Sequence, residues 1–341
     1  MDEFSGGKTS GESPILISAE PAEPFSRGYI PTGMYDNFKV FTASEKGGTQ
    51  TVVMNGYDVK FITDDWTYVT DTQPLMFWDS KADSYLFTAG APISAVSAIS
   101  TSAMTLKLKQ NNAESAMAAE PLKIETSSPK FGKTVNLSFG YAHCRVCVAF
   151  KKNAAAETSV TGITLTPDAE ITTEAELTYS YDWSTTTPTA TSGVNSTAKS
   201  SDSFSFENVT IPANTADAIA SATRYYCVPD AANTTGWTVS LSCDGELKTA
   251  PFINTYTWES GKNYIYVFAL EEKSPKLVKV ISEELKYFDC NDIIPGGSFS
   301  HEDMTEEKLQ KNETHLSNTV CVTSALLLHG RASAPRLREK T

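Results

Sequence analysis

The feature that most constrains this chain is the rhythm of its apolar residues. Short runs of Thr, Ser, Tyr, Phe and Val recur through most of the 341 residues, cut by Pro, Gly, Asn and Asp. Branched and aromatic side chains suit a pleated, half-buried surface, and the interrupting residues suit turns. Residues 38–42, 50–54, 58–62, 66–70, 75–78, 85–89, 105–108, 122–125, 135–139 and 145–150 form a first series of predicted strands. A second series comprises 160–166, 177–183, 203–211, 224–228, 237–243, 263–270 and 277–288. Asn55-Gly56 predicts a hairpin turn, since both residues tolerate positive φ. Residues 95–102 are small and polar, a loop or weak strand. The Thr/Ser-rich stretch 184–201 lacks apolar periodicity and reads as a mobile loop. Only 302–312 reads as helix, with Met304 and Leu309 among charged residues.

Between the series lies Lys151-Lys152-Asn153-Ala154-Ala155-Ala156-Glu157, charged and weakly structured, which marks a domain boundary. With ten and seven predicted strands, the two series are each long enough for a β-sandwich. The predicted architecture is all-β, two tandem antiparallel sandwiches over 15–157 and 158–289. A flexible stem, 1–14, precedes them and an irregular tail, 290–341, follows.

Charge narrows the partners. Lys plus Arg number 28 against 41 Asp plus Glu, a net charge of -13. The tail after Pro295 is balanced, so the acidity belongs to the body, which repels phosphate backbones. Nucleic acid is therefore not an expected partner. No run of eighteen apolar residues exists to span a membrane as a helix. The polar, acidic start MDEFSGGKTSGESP is no signal peptide and suits a stem left after removal of a targeting segment.

Six cysteines do not make a disulfide framework in a chain of this length. Cys144 and Cys147 form a CxxC, but three positions apart in a strand they face opposite sides. With no second CxxC and four histidines scattered along the chain, no metal site is expected. Cys227 and Cys243 lie in successive predicted strands, where they pair across them or stay as buried thiols. No cofactor motif and no catalytic motif is present, neither GxSxG nor HExxH nor a phosphate loop. His143 adjoins Cys144 in a strand, where neighbouring side chains point apart, so a dyad has poor geometry. Asp64-Asp65 beside Trp66, and the acidic loop 79–83 after Trp78, have the makings of paired carboxylates beside a sugar platform. Both fall at turns, where Asp is favoured for backbone reasons alone. The expectation is that the chain is not an enzyme.

One stretch stands apart, ILISAEPAEPFSRGYIPTGMYDNFKVF, residues 15–41. Ile15, Leu16 and Ile17 form a short apolar run too isolated to be a domain. Pro21, Pro24 and Pro31 follow, barring any helix or central strand. Arg27, beside Gly28, is the only basic residue between Lys8 and Lys39. The stretch fits a detachable first strand with a cuttable linker, and equally an edge strand with a surface loop.

Four segments, in order, resemble the fimbrillins of Bacteroidales. DDWTYVTDTQPLMFWDSKADSYLFTAGAP, 64–92, is similar to that family's Trp strand leading to an aromatic strand that ends in Ala-x-x-Pro. VNLSFGYAHCRVCVAF, 135–150, resembles its apolar strand pair, loosely at Ala142-His143-Cys144-Arg145-Val146. VTGITLTP, 160–167, resembles the strand that follows. YTWESGKNYIYVFAL, 256–270, is the most specific, similar to the near-terminal Trp-x-x-Gly-Lys-x-Tyr-x-Tyr strand. In it Tyr264, Tyr266 and Phe268 share one face and Ile265, Val267 and Ala269 the other, as in a central strand.

The resemblance implies a fimbrial subunit with two transthyretin-like sandwiches, exported as an outer-membrane lipoprotein and displayed on the cell surface. It implies that a processing protease cuts between Arg27 and Gly28, removing the plug strand of Ile15, Leu16 and Ile17. A strand from another fimbrial subunit then fills the groove, building a head-to-tail polymer. Two segments compete as donor: 277–288, which also fits the closing strand of the second sandwich, and Val320, Val322, Ala325, Leu326 and Leu328. The tail departs from the family pattern and reads equally as a disordered extension. Stalk, tip and anchor roles stay open. So does a monomeric surface adhesin, or glycan-binding lipoprotein, that meets host or bacterial surface ligands.

Overall fold

The computed structural model describes residues 13–21, 36–62, 65–111, 113, 115–185, 187–230, 235–285 and 293–294. It is all-β, as the strand rhythm predicts, with a single 3-10 turn at Ile93–Ala95 among the described residues. The chain starts with β1 (Ile17–Pro21), β2 (Asn37–Lys46), β3 (Thr49–Ile62), β4 (Asp65–Thr67) and β5 (Ser84–Ala91). Next come β6 (Val96–Ile99), β7 (Ala103–Lys109), β8 (Met117–Ala119), β9 (Leu122–Glu125) and β10 (Val135–Tyr141). β11 (Cys144–Lys151), β12 (Thr158–Pro167), β13 (Ile171–Asp182) and β14 (Thr189–Ser200) are longer. Four short strands follow, β15 (Phe204–Phe206), β16 (Val209–Ile211), β17 (Ala218–Ala220) and β18 (Tyr225–Cys227). The last are β19 (Gly236–Cys243), β20 (Glu246–Ile253), β21 (Lys262–Leu270), β22 (Pro275–Glu284) and β23 (Ile293–Ile294).

These strands form four sheets. An eight-stranded sheet runs β1-β10-β8-β5-β2-β3-β4, with β9 also on β5, and a four-stranded sheet runs β14-β13-β7-β6. The two meet over Gly90 of β5, where an added Cβ would sit 2.7 Å from Met104 and 2.9 Å from Val96. Only glycine allows that approach. On its other face β5 sends Tyr85, Phe87 and Ala89 into a core with Phe38, Val40, Trp78 and Phe139. A six-stranded sheet, β22-β21-β11-β17-β23 with β18 also on β11, packs against a five-stranded one, β15-β12-β19-β20 with β16 on β12. Between them lie Val146, Phe150, Tyr266 and Phe268 from one sheet and Val160, Leu165, Trp237 and Leu241 from the other.

Several expectations need correction. The segment 151–157 does not divide the sheets, because β11, which precedes it, pairs with β17, β18 and β21. β13, from beyond that segment, pairs along its length with β7. Pairing between strands distant in sequence follows side-chain packing that composition does not record. Asn55-Gly56 makes no hairpin: β3 runs through it, and the register shifts opposite residues 40–42, with Gly56 at φ 66°. The pair is a bulge. The hairpin turn between β2 and β3 is Gly47-Gly48, both at positive φ. Residues 189–200 form β14 rather than a loop, paired with β13 while nearly every side chain stays exposed. Of 75–78, only Phe77 pairs, in an isolated bridge to Pro14. Cys227 lies opposite Cys144, not Cys243, which sits on the five-stranded sheet. The helix expected at 302–312 lies outside the described residues.

Candidate functional site

The local chemistry of β1 follows from three residues. Ile15 and Ile17 are 0% and 4% exposed, while Leu16 between them is 48% exposed, the alternation of a one-faced strand. β1 lies at the edge of the eight-stranded sheet, parallel to β10, with Ile17, Ala19 and Pro21 opposite Val135, Leu137 and Phe139. Those three β10 residues are buried and belong to the same core as Ile15 and Ile17. Burying two isoleucines contributes roughly 1.5–3 kcal/mol each. A parallel strand at an edge has one neighbour and shares no hairpin with it, so β1 is held by side chains and one ladder.

The residues before β1 are also gripped. Ile15 N–H donates to the Met76 carbonyl at 2.8 Å, and Trp78 N–H donates to the Ser13 carbonyl at 3.0 Å. On the other side Val135 N–H donates to the Leu16 carbonyl at 2.8 Å. The Tyr68 hydroxyl donates to the Ile15 carbonyl at 2.7 Å and accepts from Met76 N–H at 3.1 Å. Burial raises the Tyr68 pKa, so this hydroxyl stays protonated and able to donate. Residues 13–17 thus lie between the 76–78 segment and the start of β10. Without them the first residues of β10 would face solvent with unpaired backbone groups above an open apolar core.

Of the residues singled out by sequence, Ile15 and Ile17 are buried in this groove and Leu16 between them faces solvent. Arg27 and Gly28 lie outside the described residues, as do Val320, Val322, Ala325, Leu326 and Leu328. The other donor candidate, 277–288, largely falls on β22, which pairs antiparallel with β21 at the edge of its own sheet. Ser13, Tyr68, Met76 and Trp78 were missed as groove residues. Tyr68 had been read only as part of a strand, and nothing local announces a partner 53 residues away.

The carbohydrate-like features resolve into structural roles. Trp78 is 1% exposed and packs on Tyr85 and Phe131 in the core. Trp66 packs tilted against Phe38 and edge-on to Phe61. Asp79 accepts from Lys81 N–H and Asp83 from Gly47 N–H, holding turns. Asp64 lies outside the described residues. His143 Nδ1 is within 3.0 Å of the Ser115 hydroxyl and accepts from Ala116 N–H at 3.2 Å. Desolvation lowers its pKa to about 4, so it is a neutral packed histidine. Cys144 and Cys147 face opposite sides of β11, each in a different cluster. Among the described residues no cluster of His, Cys, Asp or Glu is arranged to hold a metal ion, and no helix is long and apolar enough to cross a membrane.

The motif at 256–270 behaves as a central strand should. β21 lies between β11 and β22, with Tyr264, Tyr266 and Phe268 in one core and Ile265 and Val267 in another. Trp258 Nε1–H donates to the Tyr266 hydroxyl at 3.0 Å, which donates to Asn254 Oδ1 at 2.8 Å. Gly261 turns the chain at φ 73°, and its N–H donates to the His143 carbonyl at 2.9 Å.

A family model described as fimbrillin-like matches residues 31–283, and the chain belongs to that family. No curated protein sequence matches it. Among solved structures, a candidate cell adhesion protein of Bacteroides uniformis is 12% identical, covering 82% of this chain and 100% of its own, with a TM-score of 0.48. A similar protein of Bacteroides ovatus is also 12% identical, covering 81% and 98%, at 0.48. The fimbrial anchor protein Mfa2 of Porphyromonas gingivalis is 10% identical, covering 84% and 99%, at 0.33. With all three TM-scores below 0.5, membership rests on the family model.

Proposed function

We propose that the chain is a structural subunit of a cell-surface fimbria, exported as an outer-membrane lipoprotein and assembled by strand exchange. The observation that carries this reading is the seating of β1. Ile15 and Ile17 fill an apolar groove, yet β1 joins the rest of the fold in sequence only through 22–35. Cutting between Arg27 and Gly28 would release it without breaking a hairpin. The emptied groove would then present the β10 edge and the core beneath it to an apolar strand of another subunit. A contact of that kind, head-to-tail and unclosed, builds a filament. Val320, Val322, Ala325, Leu326 and Leu328 supply the apolar segment a donor needs, and β22 already serves its own sheet. The partners are further fimbrial subunits and a protease that cuts after arginine. Family membership supports the surface and adhesive setting, and two tandem sandwiches remain the domain reading.

The test is cellular. An Arg27→Ala chain should be displayed at the surface but build no filaments in electron micrographs, keeping residues 15–27 attached. Filaments of normal length from that variant would refute the proposal. A monomeric adhesin is the alternative outcome, expected if the wild-type surface form also keeps its first residues and stays single.

A further inference from the structure

We propose that Cys144 and Cys227 are a disulfide-forming pair that staples β11 to β18. The two residues stand directly opposite each other in the antiparallel register of these strands. Opposed residues in such a ladder have Cα atoms about 4.5–5.5 Å apart, inside the roughly 4.4–6.8 Å range of disulfides. Both side chains enter the same core, between the six-stranded and five-stranded sheets, and both are 0% exposed. Both are thiols in this structure, and the Cys144 Sγ lies 3.4 Å from the Cys227 carbonyl oxygen.

No other pair among the described cysteines has this geometry. Cys147 faces the opposite side of β11, with its thiol 3.4 Å from Asn263 Oδ1. Cys243 sits at the rim of the five-stranded sheet, within 3.7 Å of Lys152 Nζ. The sequence reading missed the pair because 83 residues separate its members.

The chemistry needs a disulfide oxidant, either an exported oxidoreductase or a small disulfide such as oxidised glutathione. One thiolate attacks the oxidant and forms a mixed disulfide, which the second thiolate resolves. The pair loses two protons and two electrons, and the oxidant's disulfide becomes two thiols. Burial raises the Cys227 pKa and shields both sulfurs, so the bond closes while β18 is still docking. Only the supply of oxidant in the cell rests on the surface reading above.

The position gives the staple a use. Tyr226, beside Cys227, stacks on Tyr141 and packs edge-on to His143, with ring centroids 6.2 and 6.3 Å apart. Tyr141 ends β10, and His143 lies in the link from β10 to β11. A load on the β1 groove would pass through β10 into β11, and the staple fixes β11 where that load arrives.

The test uses the full chain, unfolded in guanidinium and refolded in a mixture of reduced and oxidised glutathione. The product is denatured without reductant, alkylated with iodoacetamide and digested. The expected result is one cross-linked peptide joining Cys144 to Cys227, and a melting temperature several degrees above that of the reduced chain. Alkylation of both residues, or a bond from Cys227 to Cys147 or Cys243, would overturn the inference. Because glutathione is supplied, the result does not depend on where a cell places the chain, which fractionation reports separately.

Discussion

β1 and β21 are both apolar strands packed in a core, yet they are held in opposite ways. β21 has a neighbour on each side and buries both faces, with Phe268 and Val267 in separate clusters. Its polar atoms are paired as well, Tyr264 to the Thr257 carbonyl and Tyr266 to Asn254. β1 has one neighbour in its sheet, the residues just before it bond to 76–78 on the other side, and Leu16 is exposed. The difference teaches that burial alone does not make a strand permanent. A strand becomes removable when one ladder and a few side chains hold it and no hairpin binds it to its partner.

Breaking β21 should have the largest effect. Phe268→Ala should cost about 3–5 kcal/mol, since a fully buried ring leaves a cavity few neighbours can fill. Urea unfolding should show the loss across the whole transition. His143 tests the junction between the two regions. Its folded pKa of about 4 lies below the ordinary 6.5, so its contribution is present above pH 6.5 and is lost as pH falls through 4. The chain should lose about 3 kcal/mol more between pH 7 and pH 4 than a His143→Gln variant does.

Ile17→Ala should cost about 2 kcal/mol, at the low end for such changes because β1 has one neighbour. The loss should be local: hydrogen exchange should quicken at 135–139 and stay unchanged in β21. Tyr68→Phe should be the mildest, about 1 kcal/mol from the lost hydroxyl bond to the Ile15 carbonyl. It should raise the exchange rate of the Ile15 amide. Equal effects at β1 and β21 from either change would erase the distinction.

Much of this was legible in the sequence. The alternation in 256–270 correctly places Tyr264 and Tyr266 opposite Ile265 and Val267, because a two-residue periodicity is local. The isolation of Ile15, Leu16 and Ile17 was visible too, since prolines bound it. What sequence could not supply was partnership. That β1 lies on β10, that β13 crosses to β7, and that Cys227 meets Cys144 are all consequences of long-range packing. Asn55-Gly56 misled because positive φ suits a bulge as well as a hairpin. The Thr/Ser-rich stretch that became β14 has no apolar face to announce it, being held by the backbone ladder to β13.

The central claim, that β1 is a removable plug, is tested most directly by cutting the purified chain between Arg27 and Gly28. Hydrogen exchange would then be followed at high dilution, where subunits stay apart. The account predicts that the N-terminal fragment dissociates and that amides in 135–139 lose protection while those of β21 keep theirs. A cut chain that retains the fragment, with protection at 135–139 unchanged, would contradict it.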